Sequence, residues 1–157
     1  MVLVTSPLIR PMVPGDLDAM KGVIRATGLF PAELLDGMMT PESDLGSLWL
    51  VAELAMVVAL AYVAPERLTN GTWNLLLIAV HPDHQGTGVG SALIARVETE
   101  VRDKGAHLLL VETSGQAEFA ATRRFYQQRG FTPEARIRDY YQPGDDKIVL
   151  RKSWPPE

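Results

Sequence analysis

The sequence predicts an α/β domain with a mixed central sheet of six to seven strands and about four flanking helices. Three observations carry this reading. Apolar runs of strand length are bounded by Gly, Pro or Asn-Gly, helical periodicities lie between them, and one strand, glycine loop, helix, strand succession requires a right-handed crossover and a parallel pair. With 157 residues, 46% of them apolar, and no linker or repeat, the chain reads as one domain over residues 1–157.

Residues 8–13 read as a first strand. Pro14, Gly15 and Asp16 then open a helix in which Leu17, Met20, Ile24 and Leu29 recur near helical intervals, and Gly28 ends it. A second short helix is expected over 31–39, begun by Pro31 and stopped before Pro41, with Leu34, Leu35, Met38 and Met39 assigned to core or to an acceptor pocket. Residues 48–64 are almost wholly apolar, but the run is short for a membrane span and Glu53 interrupts it. Two buried strands with a turn near 53–56 explain it. Asn70-Gly71 marks the next turn, into a strand over 72–80 that looks apolar on both faces, as at a sheet centre. Val89, Leu93, Val97 and Val101 then give one buried stripe on a helix that stops near Lys104 and Gly105. Residues 108–113 return as a strand, and a last helix over 116–129 puts Phe119, Thr122 and Tyr126 on one face before Gly130. Strands over 131–138 and 147–151 flank Pro143-Gly144-Asp145-Asp146 as a closing hairpin.

Composition narrows the function. The net charge of −4 gives nucleic-acid binding no support, and the absence of cysteine removes disulfides, thiolate metal sites and a covalent Cys mechanism. The first residues lack a basic flank followed by a sustained apolar stretch, so neither a signal peptide nor a membrane partner is expected, and the cytoplasm is the expected location. His81, Asp83 and His84 invite a metal reading, but Pro82 breaks the spacing and no further ligands join them; no metal is expected.

The chemistry concentrates in the run from Val80 to Ile94. An apolar strand ends, Gly86, Gly88 and Gly90 open a loop, and a helix follows at once; unpaired N–H groups and the positive end of the helix dipole favour phosphate oxygens there. A phosphate loop of the nucleotide hydrolases would need a lysine after Gly90, and a dinucleotide fingerprint would need glycine or alanine where Ser91 stands. Gln85-x-x-Gly88-x-Gly90 instead resembles the acetyl-CoA signature of GNAT-superfamily N-acetyltransferases, and Phe125-Tyr126-x-x-x-Gly130-Phe131 resembles their second motif. Together they make the chain similar to that superfamily from Ile9 to Lys152.

The resemblance implies a sheet splayed open beside the strand over 72–80. Backbone groups of Ile78, Ala79 and Val80 would pair with pantetheine amides, N–H groups of Gln85, Gly86, Thr87, Gly88, Val89, Gly90 and Ser91 would hold the pyrophosphate, and an N–H near Ala79 would polarise the thioester carbonyl. Acetyl-CoA is the implied co-substrate. Gln85 stands where many members carry arginine, so Arg96, Arg123 or Arg124 would have to supply charge. Tyr126 matches the tyrosine that protonates the departing thiolate, with a packed structural aromatic as the alternative.

The acceptor amine must lose a proton. Asn74 stands where several members place a glutamate and can only orient a water, whereas Glu112, in a Leu-Glu-Val-like position, is open both to a base role and to a purely structural one. Tyr62, Trp73, Glu112, Asp139, Tyr140 and Tyr141 would border the acceptor, a small-molecule or peptide amine. The implied activity is N-acetyl transfer by direct attack in a ternary complex. A non-catalytic CoA or acyl-CoA binding domain is the alternative, and a second copy of the chain stays open as a partner.

Overall fold

The computed structural model describes residues 6–39 and 46–155. Seven strands form one sheet in the order β1-β2-β3-β4-β5-β7-β6: β1 Leu8–Pro11, β2 Leu48–Glu53, β3 Val57–Pro65, β4 Thr72–Val80, β5 Leu108–Ser114, β6 Thr132–Gln142 and β7 Asp145–Ser153. Four helices flank it: α1 Leu17–Thr27, α2 Leu34–Met38, α3 Val89–Asp103 and α4 Ala120–Gln128. Among the described residues the β4–β5 pair alone is parallel, as the α3 crossover requires.

Alternation along the strands sorts the core into two clusters. Leu50, Ala61, Leu75 and Val111 pack with Leu93, Ile94 and Val97 of α3 and with Tyr126 of α4, while Val51 and Leu60 pack with Met20, Val23 and Ile24 of α1 and Leu35 of α2. Helix α1 ends where Gly28 turns left-handed (φ 68°) and returns its N–H to the Ile24 carbonyl. At its start, Arg10 grips Asp16 through two bonds of 2.8 and 2.9 Å and Glu53 through one of 3.0 Å, tying β1, β2 and the helix entry together.

Several expected boundaries move. The second helix is only Leu34–Met38, because residues 31–35 first make tight turns from Leu34 to Pro31 and from Leu35 to Ala32. The last helix begins as a 3-10 turn at Ala117–Phe119, and β6 and β7 are longer than expected because they pair with each other well beyond the apolar residues. Strand β4 is not apolar on both faces: Asn74 is a buried polar residue at 3% exposure.

The sheet opens at its centre. Strand β4 pairs with β5 only from Thr72↔Leu108 to Leu75↔Val111, yet it stays paired with β3 as far as Val80↔Ala59, and β5 stays paired with β7 as far as Ser114↔Lys147. The divergence starts at a bulge. Leu75 faces Val63 and Leu77 faces Tyr62, which leaves Leu76 as one extra residue on β4, and such an insertion bends and twists its strand.

Candidate active site

The opening has a defined edge. His81 N–H bonds the Val58 carbonyl, so antiparallel alternation turns the polar backbone groups of Ala79 toward β3 and those of Ile78 and Val80 toward the gap. The Val80 carbonyl already accepts from Gln85 Nε2 at 3.1 Å. Gln85 therefore holds the loop to the end of β4.

Beyond Gln85 the chain makes a cradle. Gly86 (φ 74°) and Gly88 (φ 90°) take left-handed conformations, of the kind that lets successive N–H groups form an anion-binding concavity, and a Cβ on either would meet no neighbour. Among the described residues, the N–H groups of Gly86 through Ser91 donate to no protein acceptor. Thr87 Oγ1 donates to the His84 carbonyl and braces the loop. Gly90 is needed for a different reason, since a Cβ there would stand 3.2 Å from Phe125 Cζ, where α4 crosses the first turn of α3.

The cations named from the sequence do not converge on this cradle. Arg96 is bound to Glu100 at 2.7 Å and to the Ile9 carbonyl, and Arg123 bonds the carbonyls of Ser114 and Gln116. Arg124 lies with Arg123 and Arg136 along a cavity of about 560 Å³ between α4 and the β6–β7 hairpin. Arg129, which the sequence reading missed, bonds Ser91 Oγ through Nε (2.8 Å) and Nη2 and lies 4.2 Å over the Phe125 ring. Its position four residues after Phe125, at the C-cap of α4, was the available signal.

Tyr126 is buried at 5% exposure, edge-on to Phe125 and Phe131 at 5.6 and 5.7 Å. Burial pushes its phenol up to about 12, so it keeps its proton throughout the neutral range. It belongs to the α3–α4 side of the sheet. Asn74 and Glu112 lie on the other face, because their neighbours Trp73, Leu75 and Val111 point into the α3–α4 core.

Asn74 Nδ2 donates to Glu66 Oε1 at 2.9 Å and to Glu112 Oε1 at 3.1 Å. Two carboxylates can only accept, so the amide orientation is set by chemistry, and Oδ1 is left buried without a partner. Glu112 Oε2 is held by Lys147 Nζ at 2.9 Å. Neither Glu66 nor Lys147 was singled out from the sequence, because neither belongs to a motif: Lys147 reaches Glu112 through the β5–β7 pairing, and Glu66 reaches Asn74 from the β3–β4 connection.

The other expected pocket residues divide. In β6 the register slips between Ile137 and Gln142, and this irregular stretch carries Tyr140, whose ring centroid is 4.1 Å from Lys147 Nζ, and Tyr141 beside it. Asp139 (φ 57°) organises the bulge by accepting from Gly144 N–H and donating its own N–H to Asp146. Tyr62 stacks on Trp49 at 4.2 Å. Trp73 is core on the opposite face from Glu112 and borders no acceptor there. Of the α2 residues, Leu35 is core, Met38 and Met39 pack on it, and Leu34 is exposed.

The model of the acetyltransferase (GNAT) domain matches residues 45–133. The L-amino acid N-acyltransferase MnaT of Escherichia coli K12 is 37% identical over 60 residues, 38% of this chain and 34% of that protein, so the match spans about a third of that relative's length. The ribosomal protein bS18 alanine N-acetyltransferase of Escherichia coli K12 is 33% identical over 104 residues, covering 66% of this chain and 68% of its own. A solved GNAT-family protein from Desulfovibrio desulfuricans superposes with a TM-score of 0.85 at 36% identity, covering 94% of this chain and 99% of that one. With the opened sheet, the glycine cradle and these matches in agreement, the chain belongs to the GNAT acetyltransferase family.

Proposed function

We propose that this chain is an N-acetyltransferase that moves the acetyl group of acetyl-CoA to a primary amine by direct attack in a ternary complex. The observation that carries this is the joining of the β4–β5 gap to a row of unclaimed N–H groups at the start of α3. Ile78 and Val80 would hold the pantetheine arm as an added strand, Ala79 would close the strand behind it, and Gln85 to Ser91 would receive the pyrophosphate. Arg129, next to Ser91 with two N–H groups still free after its bonds to Ser91 and Phe125, supplies the positive charge that Gln85 lacks.

Tyr126 and Glu112 on opposite faces of the gap suit acid and base. Glu112 takes a proton from the acceptor ammonium, directly or through a water oriented by Asn74, and the freed amine nitrogen forms the new C–N bond. As the C–S bond breaks, Tyr126 delivers its proton to the sulfur, and the nitrogen, which carries a surplus proton once the C–N bond has formed, gives it up through water to restore the phenol; burial keeps that phenol protonated until the sulfur departs. The acceptor is a small-molecule or peptide amine met on the face of Glu112, Tyr140 and Tyr141, and one domain over residues 1–157 carries the whole site. Among the described residues no helix is long and apolar enough to cross a membrane.

Acetyl-CoA at about a hundred times its Kd should stabilise the fold by about 2.7 kcal/mol. Gly88→Asp should abolish that shift, since it strains a φ of 90° and puts negative charge where phosphate must lie. Arg129→Gln should weaken binding about tenfold while leaving the response to free pantetheine unchanged. Calorimetry on folded variants decides the point. Thiol release that depends on an added amine separates transfer from a domain that only binds CoA.

A further inference from the structure

Lys147 is a buried cation on the acceptor side of the sheet. Its side chain is 10% exposed, and its ammonium lies 2.9 Å from Glu112 Oε2 and 4.1 Å from the centre of the Tyr140 ring. Burial works against the charge, but the hydrogen bond and charge of Glu112, with Tyr140, carry Lys147 above the ordinary lysine value. Strand pairing does not require the side chain: the backbone of Lys147 pairs with Ser114 and Ile137 whatever residue stands there. Its partner is the candidate base. The other groups around that carboxylate are Glu66 from the β3–β4 connection, Asn74 from β4, Tyr140 and Tyr141 from β6, and Asp145 of β7. Three carboxylates therefore share the neighbourhood with one buried ammonium. Without it, Glu112 would face Glu66 across Asn74 with no counter-charge.

We propose that Lys147 is a positioning residue for amine deprotonation: it fixes Oε2 of Glu112 and supplies the counter-charge to that carboxylate, leaving the Oε1 lone pair not taken by Asn74 for the acceptor. This rests on the reading of Glu112 as base. In the step, one N–H bond of the acceptor ammonium breaks and one O–H bond forms on Glu112, directly or through a water that gains the amine proton and passes one of its own to the carboxylate. Lys147 keeps its three protons throughout, and the carboxyl proton leaves to solvent before the next turnover.

The test is the rate against pH for the parent, Lys147→Met, Lys147→Gln, Lys147→Arg and Glu112→Gln. A carbon-13 titration of the Glu112 carboxyl, recorded without acetyl-CoA, and a melting curve accompany each protein. Loss of the ammonium should move both the acid-side limb and the carboxyl titration up by about one pH unit or more, the usual effect of removing an opposite charge at this range. Below the limb that is a loss of about tenfold in rate. Lys147→Arg should restore both readouts, which a merely structural lysine would not require. Lys147→Gln, which keeps a donor toward Oε2, carries the same expectation should Lys147→Met fail to fold. A limb and titration unmoved in a folded, uncharged variant overturn the proposal, while a limb that persists in Glu112→Gln overturns the base reading itself.

Discussion

The Tyr126 ring is held by packing. Phe125 and Phe131 fix it from two sides, and its place on α4 puts Tyr126 on the α3–α4 side of the sheet. Tyr126→Phe keeps those ring contacts and removes the proton. Turnover should fall by about a hundred- to ten-thousand-fold while the calorimetric affinity for acetyl-CoA hardly changes. Because burial takes the phenol to about 12, its ionisation should produce no alkaline limb in the neutral range, so any limb seen there belongs to another group. Full turnover by the phenylalanine variant with a good acceptor would leave Tyr126 a packing residue. Its motif, Phe125-Tyr126-x-x-x-Gly130-Phe131, was legible in the sequence; the bonds of Glu112 to Asn74 and Lys147 were not, since the three residues stand on three different strands.

At the scale of elements, the site exists because two neighbouring strands part. The extra residue Leu76 lies where β4 leaves β5, and at 50% exposure its side chain adds little to the core. Deleting Leu76 should regularise β4 against β3 without turning Ile78 or Val80 to the other face, because the bulge sets two residues against one. The β4–β5 ladder can then run on past Leu75. The expected outcome is a folded protein with an unchanged or higher melting temperature and acetyl-CoA binding weakened beyond detection by calorimetry. Retained binding would show that the helices, rather than the bulge, hold the strands apart.

For the molecule as a whole, the Arg10, Asp16 and Glu53 cluster ties the first strand and helix to the rest of the sheet. The hydrogen bond from Arg10, with a further one from Val13 N–H, holds the Asp16 carboxyl below its ordinary value of 3.8, against the cost of its burial. A carboxylate lowered in the folded state stabilises fully above the unfolded value and loses that contribution as pH falls through the folded one. The melting temperature should therefore drop as pH falls below 3.8, and Asp16→Asn should lower it at neutral pH while flattening that acid decline. A parallel decline in both proteins would place the acid sensitivity elsewhere.

The number and kind of the elements, the single parallel crossover and the glycine cradle were determined by the sequence alone, because each depends on local periodicity, on left-handed glycines or on residues a few positions apart. Strand β4 was predicted to the residue since Asn70-Gly71 and the glycine loop bound it on both sides. Helix starts at 31 and 116 were misjudged where tight turns compete with helical bonds. Only the tertiary structure decided that β4 and β5 separate after Leu75, that Gln85 turns onto Val80 while Arg129 reaches Ser91, and that Lys147 closes on Glu112. Those contacts join residues up to 38 positions apart through strand register and helix crossing, and no local pattern in a chain encodes which distant side chain a folded sheet will bring within 3 Å.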